Sequence, residues 1–591
     1  MASIKKNDII TAEIEGMTSE GSGVAHYDGM AVFVPGSAPG DVAEIIVIKV
    51  TRSYAVGKIK TLTKPGAGRC EPDCPAFPKC GGCTFRHLAY AEECEIKRRR
   101  VNDAMKRIGG TDMEAEEFLP ADFSDRYRNK AQIPFGEENG KAVFGFYAGH
   151  SHRMIPSSDC LLQPEIFGAI AQATANFIND TPNDVYDETT GKGRFRHLYI
   201  RRGFATGEIM VCAVVNANGL VREDEFVRRI RAVSPGIKSI VINSNREKTN
   251  VILGGKCRTA WGSDTIRDTL CGLTFEISPL SFYQVNRSQT EKLYRRAAEY
   301  AGLVDGYAVP DGRHAVPDGR HAVPDGRHAV PDKSQVVFDL YCGTGTVGLS
   351  MATKAKRLYG IEIVPDAVSD AIRNAKLNHI DNAEFICGDA REEAQKLVAR
   401  GIQPDVVVVD PPRKGCSEEA VELLNNIAPK RIVYISCDPA TLARDVARLR
   451  QYGWQVERFT AVDMFPRTAN VETVALLSHK KPDSHIHMTV EFGEGEGKIS
   501  LDEISQKVQN SKPKPKVTYR LMQDYIEEKY GFKVHTAYIA EVKRKLGLPM
   551  YDAPNAVEEL KNPRKHPTPE KEAAIMDALT HFGIINGEKE D

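Results

Sequence analysis

The fold is decided by the stretch Val336-Val-Phe-Asp-Leu-Tyr-Cys-Gly-Thr-Gly-Thr-Val-Gly348. In it, an apolar run leads into a glycine-rich turn, and a helical stretch follows. This order is typical of the first strand, the ligand loop and the first helix of a doubly wound α/β domain. Glycines let such a loop turn tightly and approach a ligand closely. The loop lacks the Gly-Lys-Ser/Thr of a P-loop, so it is not typical of a nucleoside triphosphate site.

Further apolar runs alternate with helical stretches, at Arg357–Ile363, Ala383–Cys387, Val406–Asp410 and Ile432–Ser436. The alternation predicts parallel strands joined by crossover helices. Glu362 lies at the end of the second strand, where a carboxylate can accept hydrogen bonds from two ribose hydroxyls. Asp389 follows the third strand and suits an adenine edge, and Asp410 follows the fourth. Together these positions predict a site for S-adenosylmethionine.

Composition excludes several classes of protein. The chain has 591 residues and a net charge of −1, and at roughly 150 residues per domain this length predicts about four domains. A hydrophobic fraction of 41% argues against wholesale disorder and fibrous folds. No apolar run reaches the ~18 residues of a membrane helix, and no secretory signal follows Met1. Since the thirteen cysteines are odd in number, we expect a reducing cytoplasm rather than a disulfide framework.

Four regions follow one another along the chain. Residues 1–62 carry short apolar strands between Gly- and Pro-containing turns, which predicts an OB-like β-barrel. Residues 63–281 mix helices and strands in an α+β domain that begins with a cysteine-rich segment, and 282–480 form the doubly wound domain. Residues 481–591 form an extension with helices at Thr518–Tyr530 and His535–Leu546. These basic helices are either a helix-turn-helix-like nucleic-acid contact or solvated surface helices.

A repeat with a period of seven residues interrupts the doubly wound domain. Ala-Val-Pro-Asp-Gly-Arg-His occurs three times from Ala308 to His328, within an inserted loop at 307–333. Pro and Gly in every copy exclude a helix. We assign this loop no function.

A cysteine follows the fifth predicted strand, in Ile432-Val-Tyr-Ile-Ser-Cys-Asp-Pro439. Residues at the carboxyl ends of parallel strands face the ligand, so we interpret Cys437 as a nucleophile. Cys416 is the rival candidate. Asp410-Pro411-Pro412 resembles the motif of methyltransferases that act on planar nitrogen, but Arg413 stands where those enzymes have an aromatic residue. This departure argues against amino methylation.

Three motifs together resemble the RNA uracil-5-methyltransferase family. They are Asp410-Pro-Pro-Arg-Lys-Gly415, Ser436-Cys-Asp-Pro-Ala-Thr-Leu-Ala-Arg-Asp445 and Phe465-Pro-Arg-Thr-Ala-Asn-Val-Glu-Thr473. The resemblance covers residues 5 to 480. It implies that the barrel is a TRAM domain, an RNA-binding module, and that the doubly wound domain is a Rossmann-like class I methyltransferase domain. The cysteine segment resembles the iron–sulfur site of bacterial 23S ribosomal RNA enzymes of the RumA/RlmD type. Since the tRNA enzyme of the family lacks both features, we expect 23S ribosomal RNA as the substrate.

The resemblance also implies roles for individual residues. Uracil C5 is a poor nucleophile until a thiolate adds to C6, and Cys437 is the expected thiolate. Glu472 stands at the family's base position and would remove the C5 proton after methyl transfer. By family position, the S-adenosylmethionine ligands are Gln284, Tyr341, Glu362 and Asp410.

Four cysteines match the family's iron–sulfur pattern: Cys74, Cys80, Cys83 and Cys160. Thiolates at short spacing with one distant thiolate can hold a [4Fe–4S] cluster. Two alternatives stay open: Cys70 could replace Cys160, and four thiolates also suit zinc.

An RNA contact is expected at Arg126-Tyr-Arg-Asn-Lys130, where Arg126, Arg128, Asn129 and Lys130 match a family motif and cations flank an aromatic ring. The target base would be flipped out of its stack to reach the thiol. We expect a monomer that acts on ribosomal RNA without a membrane or a protein partner. The alternatives are a tRNA uracil-5-methyltransferase and a non-catalytic RNA-binding factor of ribosome assembly.

Overall fold

The computed structural model describes residues 4–149, 151–303, 334–479, 519–546, 548, 566–582 and 584. The chain divides into two compact units, Met1–Ser484 and His485–Asp591. None of the helices in the described ranges is long and apolar enough to cross a membrane. The repeat from Ala308 to His328 lies outside the described residues.

A six-stranded sheet forms the N-terminal barrel, in the order β1-β5-β6-β4-β3-β2. Its strands are β1 (Ile9–Glu13), β2 (Gly16–Met17), β3 (Ser22–Tyr27), β4 (Met30–Pro35), β5 (Val42–Val50) and β6 (Tyr54–Lys64). Strand β1 lies at one edge of the sheet, paired with β5, and β2 lies at the other edge, paired with β3. Because β2 begins only three residues after β1 ends, the two edges meet and the sheet closes. Alternate residues such as Ile10, Val32 and Ile45 fill the interior, as the period of two requires.

The chain continues through α1 (Tyr90–Arg107) and β7 (Glu117–Leu119) into a seven-stranded sheet, ordered β10-β9-β8-β11-β12-β13-β14. Its elements are β8 (Lys130–Glu138), β9 (Lys141–Tyr147), β10 (Met154–Pro156), α2 (Glu165–Asp180), β11 (Phe195–Arg202), β12 (Ile209–Val215), α3 (Glu223–Arg231), β13 (Ile237–Ser244) and β14 (Lys256–Gly262). Only the β12–β13 pair is parallel. A hairpin of β15 (Ile266–Leu270) and β16 (Leu273–Ile277) then leads to α4 (Arg287–Ala301).

The third sheet has eight strands in the order β19-β18-β17-β20-β21-β23-β22-β7. Its further elements are β17 (Val336–Leu340), α5 (Thr346–Ala352), β18 (Arg357–Glu362), α6 (Pro365–Leu377), β19 (Ala383–Cys387), α7 (Ala390–Ala399), β20 (Val406–Val409), α8 (Glu418–Ile427), β21 (Arg431–Ser436), α9 (Pro439–Gln451), β22 (Trp454–Val462) and β23 (Glu472–His479). Strands β17 to β21 are parallel, as predicted, and β23 runs antiparallel to both neighbours. The strand order reverses beside β17, which opens a crevice at the carboxyl ends.

Two elements that precede the central sheet in sequence pack onto this third sheet. β7 pairs in parallel with β22 at the sheet edge, and α1 buries Val101 and Met105 in the same core as the apolar residues of α9. A segment from the cysteine-rich region therefore lies close to the carboxyl half of the eight-stranded sheet.

The C-terminal unit contains α10 (Tyr519–Tyr530), α11 (Thr536–Lys545) and α12 (Pro569–His581). The first two lie within one residue of the predicted helix bounds, and the third was not predicted. A small apolar core joins them, including Ile526, Ile539 and Ile575.

Candidate active site

The loop after β17 is built from residues in the left-handed region of backbone space. Tyr341, Gly343 and Gly345 have φ values of 64°, 55° and 79°. A Cβ at Gly345 would lie 2.9 Å from the ring of Phe385, so this position requires glycine. The buried Asp339 side chain accepts a hydrogen bond of 2.9 Å from the amide of Gly348. The loop is thereby held in a tight turn over the carboxyl ends of the strands.

Glu362 is fixed beside this loop. Its two carboxylate oxygens accept hydrogen bonds from the backbone amides of Gly343 at 3.1 Å and Val364 at 2.9 Å. Each oxygen retains a further lone pair that can accept from a hydroxyl. The neighbouring apolar side chains of Ile363 and Val364 are 65% and 49% exposed. A carboxylate next to exposed apolar surface suits a ligand that combines a ribose with a flat ring.

Gln284 and Asp410 reach the same edge from other elements. The Gln284 side chain is buried, and its backbone carbonyl accepts a hydrogen bond of 2.8 Å from Asn129. Two residues earlier, the carbonyl of Phe282 accepts from Thr344 of the β17 loop at 3.1 Å. Asp410 follows β20 next to β17, and burial raises its pKa to about 7. The structure therefore brings the four expected cofactor ligands to one edge of the sheet.

Cys437 and Glu472 lie at the open end of the β21–β23 ladder. Ser436 pairs with Thr473 in the register, and Cys437 and Glu472 are the next residue on each side. Glu472 is 4% exposed, and its carboxylate has no hydrogen bond or ion pair among the described residues. Burial and the nearby Asp410 carboxylate raise the pKa of Glu472 to about 8. A buried carboxyl without a partner, with a pKa near neutrality, is suited to exchange a proton with a substrate.

The thiol of Cys437 is half-buried at the carboxyl edge. Burial, together with the charge of Glu472, raises its pKa to about 11. The exposed guanidinium of Arg413 acts in the opposite direction and lowers the pKa of both Cys437 and Glu472. In the sequence, Arg413 stands out only as part of the Asp410-Pro-Pro-Arg-Lys-Gly415 motif and as a departure from the motif of methyltransferases that act on planar nitrogen. Its electrostatic role had no sequence signal, because it depends on two strands that are distant in the chain.

The rival thiol is shielded. Cys416 is 3% exposed within the hydrophobic core, and its amide donates to the buried Asp445 carboxylate at 2.7 Å. Asp445 also accepts from Tyr434 at 2.7 Å. These contacts anchor the loop that carries Arg413, so Cys416 serves the loop structure.

The cysteine segment forms a second site. Cys74, Cys80, Cys83 and Cys160 line a single cavity of about 240 Å³. Cys70 is not among its lining residues, and its sulfur lies 3.8 Å from the carbonyl of Arg86. Among the residues that the structure describes, no three Cys, His, Asp or Glu side chains are grouped closely enough to hold a metal ion. The four thiols thus line one cavity without converging on a common point.

The expected RNA segment lies between these two sites. Arg126 forms a two-pronged ion pair with Asp159, with both distances at or below 2.7 Å, and thereby holds the loop of Cys160. Asn129 is buried against the Gln284 segment. Arg128 and Lys130 line the cysteine cavity, and burial lowers the pKa of Lys130 to about 8. The RNA contact of these residues stays a prediction.

Comparison with known proteins gives matches over most of the chain. Residues 5–60 match the TRAM domain family, and residues 326–480 match the tRNA (Uracil-5-)-methyltransferase family. An uncharacterized RNA methyltransferase of Clostridium tetani is 40% identical over 476 residues, which cover 80% of this chain and 97% of the relative. One of Halalkalibacterium halodurans is 39% identical over 480 residues, covering 81% and 99%.

A solved structure matches over a similar extent. The Pyrococcus abyssi tRNA (uracil-54, C5)-methyltransferase, in complex with S-adenosyl-L-homocysteine, is 27% identical with a TM-score of 0.60. The match covers 79% of this chain and 99% of that one. It therefore extends well beyond the eight-stranded sheet.

Proposed function

Because this chain belongs to the RNA uracil-5-methyltransferase family, we propose that it methylates C5 of a specific uridine in 23S ribosomal RNA, with S-adenosylmethionine as the methyl donor. The observation that carries this proposal is the position of Cys437 next to Glu472, beside the loop that suits a nucleoside cofactor. A thiol and a base are the two groups that methylation at C5 of uracil requires.

The residues at the carboxyl edge fit the cofactor. Glu362 would accept from the ribose hydroxyls, and the exposed Ile363 and Val364 offer an apolar surface for adenine. Tyr341, Gln284 and Asp410 would complete its binding site. When bound, S-adenosylmethionine supplies a methyl group on a positively charged sulfur.

Cys437 opens the reaction on the uracil. Its thiolate adds to C6, forming an S–C6 bond, and the electron pair displaced from the C5=C6 bond makes C5 nucleophilic. With the cofactor bound, C5 would take its methyl group, and the electron pair of the broken S–CH3 bond would stay on the cofactor sulfur. Because burial and Glu472 raise the pKa of Cys437 to about 11, the thiolate is a minor form at neutral pH, and the positive charge of Arg413 assists this step by favouring it.

Glu472 completes the reaction. As a carboxylate it accepts the C5 proton, the C5=C6 double bond re-forms, and the S–C6 bond breaks to release the Cys437 thiolate. A base with a pKa of about 8 is matched to this task near neutral pH, and positioned bases typically contribute ~10²–10⁴-fold in rate.

One feature supports a ribosomal substrate: the four thiols expected from the ribosomal enzymes line one cavity. The TRAM barrel at residues 5–60 supports binding to RNA without distinguishing ribosomal RNA from tRNA. We further propose that Cys74, Cys80, Cys83 and Cys160 hold a [4Fe–4S] cluster. Its role would be structural, because methyl transfer moves no electrons.

A tRNA substrate is the second candidate. The Pyrococcus abyssi enzyme acts on a tRNA uracil and matches over 99% of its length. That match also includes regions of this chain outside the eight-stranded sheet. The presence of these further domains therefore does not distinguish a tRNA enzyme from a ribosomal one.

Mass-spectrometric mapping of 5-methyluridine in RNA from cells that lack this protein tests the substrate. We expect one or two positions in 23S ribosomal RNA to lose the modification while tRNA keeps it, and the purified enzyme to restore it on a 23S fragment. Loss confined to tRNA would support the second candidate. Unchanged 5-methyluridine in both RNAs would refute the proposal.

A further inference from the structure

One face of α1 carries charged residues that are buried. Glu93, Lys97 and Arg100 stand at positions i, i+4 and i+7, so they share one face of the helix. The side chains of Glu93 and Lys97 are 0% and 1% exposed. Charged side chains are almost never buried so completely unless they are paired. The groups that pair with Glu93 and Lys97 therefore identify the segments that this face of α1 fixes in place.

Lys97 holds the 463–471 loop, which connects β22 to β23. Its ammonium donates to the Asp463 carboxylate at 2.7 Å, to the Phe465 carbonyl at 3.1 Å and to Glu93 at 2.7 Å. Asp463 is itself fully buried. All three donors of the ammonium are used, and two of them fix the start of the loop.

Glu93 and the cysteine segment hold the middle of the same loop. Arg467 has a φ of 67°, which is uncommon for a residue with a side chain. Its amide donates to Glu93 at 2.7 Å, and its carbonyl accepts from the amides of Thr84 and Phe85 at 2.8 and 3.1 Å. The unusual conformation is thus fixed from both sides by residues outside the loop.

Arg100, on the same face of α1, lies close to the segment that carries Cys437. One guanidinium nitrogen donates to the Ala469 carbonyl at 2.6 Å, and another lies 4.0 Å from the Asp438 carboxylate. Asp438 directly follows Cys437. The single face of α1 therefore contacts the segment that leads to Glu472 and the segment that carries the thiol.

We propose that Lys97 is a positioning residue that fixes the 463–471 loop, and with it the place of Glu472 opposite Cys437. This inference rests on the proposed uracil-5 methylation. Lys97 does not touch the reacting atoms; it acts through Asp463 and the Phe465 carbonyl.

The charge balance explains why the loop depends on Lys97. Two buried carboxylates, Glu93 and Asp463, face two cations, Lys97 and the Arg467 guanidinium, which lies 3.9 Å from Glu93. Removing one partner of a buried pair leaves an uncompensated charge. Without the lysine, the Asp463 side chain would keep only the hydrogen bond of 2.8 Å from the Tyr90 hydroxyl. It would then take up a proton or turn toward water, and in either case the start of the loop would lose the ammonium that binds both Asp463 and the Phe465 carbonyl. A displacement of about 1 Å at a catalytic group can cost ~10²-fold in rate.

Steady-state methylation of uracil-containing RNA by the full-length enzyme tests this role. If Glu472 is displaced, the cysteine adduct forms but its C5 proton is removed slowly. We therefore expect Lys97→Met to lower kcat by about 10²-fold with little change in the KM for RNA, and to accumulate a denaturant-resistant protein–RNA complex. Glu472→Gln is the reference for this pattern. Lys106→Met, at an exposed position in the last turn of the same helix, should leave kcat unchanged and accumulate no complex.

An unchanged kcat in Lys97→Met, or a lower kcat without the complex, would overturn the proposal, because a merely structural lysine lowers the amount of active enzyme without trapping an intermediate. If Lys97→Met does not fold, Glu93→Gln keeps the Lys97–Asp463 pair and weakens the hold on Arg467, so it should show the same trapping to a smaller degree. If the wild-type enzyme neither methylates nor links to RNA, the proposed function fails. The positioning role of Lys97 is then tested by amide hydrogen exchange. Faster exchange in Lys97→Met than in the wild type, confined to residues 463–472, supports this role, and unchanged exchange contradicts it.

Discussion

Cys437 lies beside Glu472 at the end of the antiparallel β21–β23 ladder, one position beyond the Ser436–Thr473 pair. The negative charge of Glu472 raises the pKa of the thiol. Cys437 directly follows β21, and Glu472 is the first residue of β23. The relative position of the two residues is therefore fixed by strand register and not by a flexible loop. This relationship places the proposed nucleophile and the proposed base at the ends of two paired strands.

Replacement of Glu472 separates the two halves of the reaction. In Glu472→Gln, the thiol can still add and C5 can still take the methyl group, but no carboxylate removes the C5 proton. We expect turnover to fall by about 10²–10⁴-fold and a covalent protein–RNA complex to accumulate on denaturing gels. Glu457→Gln, on an exposed position of β22, is the control. Turnover without accumulation of the complex in Glu472→Gln would place the base elsewhere.

The pH dependence of methylation should report on the same carboxyl. Burial and Asp410 raise the pKa of Glu472 to about 8, and the base must be deprotonated to act, so kcat should rise from about pH 6. Ionisation of the Cys437 thiol, whose pKa is raised to about 11, should extend this rise above pH 9. Arg413 lowers the pKa of both Glu472 and Cys437. In Arg413→Gln the rising limb should therefore move to higher pH.

The control for Arg413 is Arg400→Gln, which removes an exposed cation at the end of α7. It should leave the pH profile in place. A profile that is the same in wild type and in Arg413→Gln would show that Arg413 does not act on the catalytic pair.

Cofactor affinity should depend on Glu362. The loss of hydrogen bonds from ribose hydroxyls to a charged acceptor costs ~1.5–3 kcal/mol, which is about 10- to 100-fold in affinity. We expect Glu362→Gln to weaken S-adenosylhomocysteine binding in calorimetry by that factor and to leave RNA binding unchanged. Glu384→Gln, whose carboxylate pairs with Arg357 on the neighbouring strand, should bind the cofactor normally. Equal affinity in the two variants would contradict the assignment.

The cysteine cavity predicts a cluster that depends on Cys160 and not on Cys70. After anaerobic purification, the wild-type protein should be brown and contain about four irons and four sulfides per chain. Cys160→Ser should lose most of both, and Cys70→Ser, outside the cavity, should keep them. A colourless wild-type protein that contains one zinc would refute the cluster.

Much of the doubly wound sheet could be predicted from sequence because its strands are short and apolar. The runs ending at Cys387 and Ser436 coincide with observed strand ends. The positions of Glu362, Asp410 and Cys437 could be predicted for the same reason: a polar residue at the end of a buried parallel strand, or directly after it, lies at the carboxyl edge of the sheet.

Contacts between distant segments could not be predicted. Strand β7 has three residues and no periodicity of its own, and its partner β22 follows about 340 residues later. Helix α1 is rich in charge and resembles a solvated helix, although Glu93 and Lys97 are buried. Arg126 was expected to contact RNA, whereas in the structure it forms an ion pair with Asp159. The sequence pattern does not indicate that the loop carrying Asp159 lies close to Arg126. Local patterns carry no information about such pairings.

The proposed reaction depends most directly on Cys437 as the nucleophile toward uracil C6. RNA that carries 5-fluorouracil at the target position tests this, because a base can remove a proton from C5 but not fluorine, so the adduct cannot be resolved. With S-adenosylmethionine present, we expect a denaturant-resistant complex whose protease digest carries the methylated fluorouridine on Cys437, and no complex with Cys437→Ala. A link to Cys416 or another residue, or an undiminished complex with Cys437→Ala, would contradict the account.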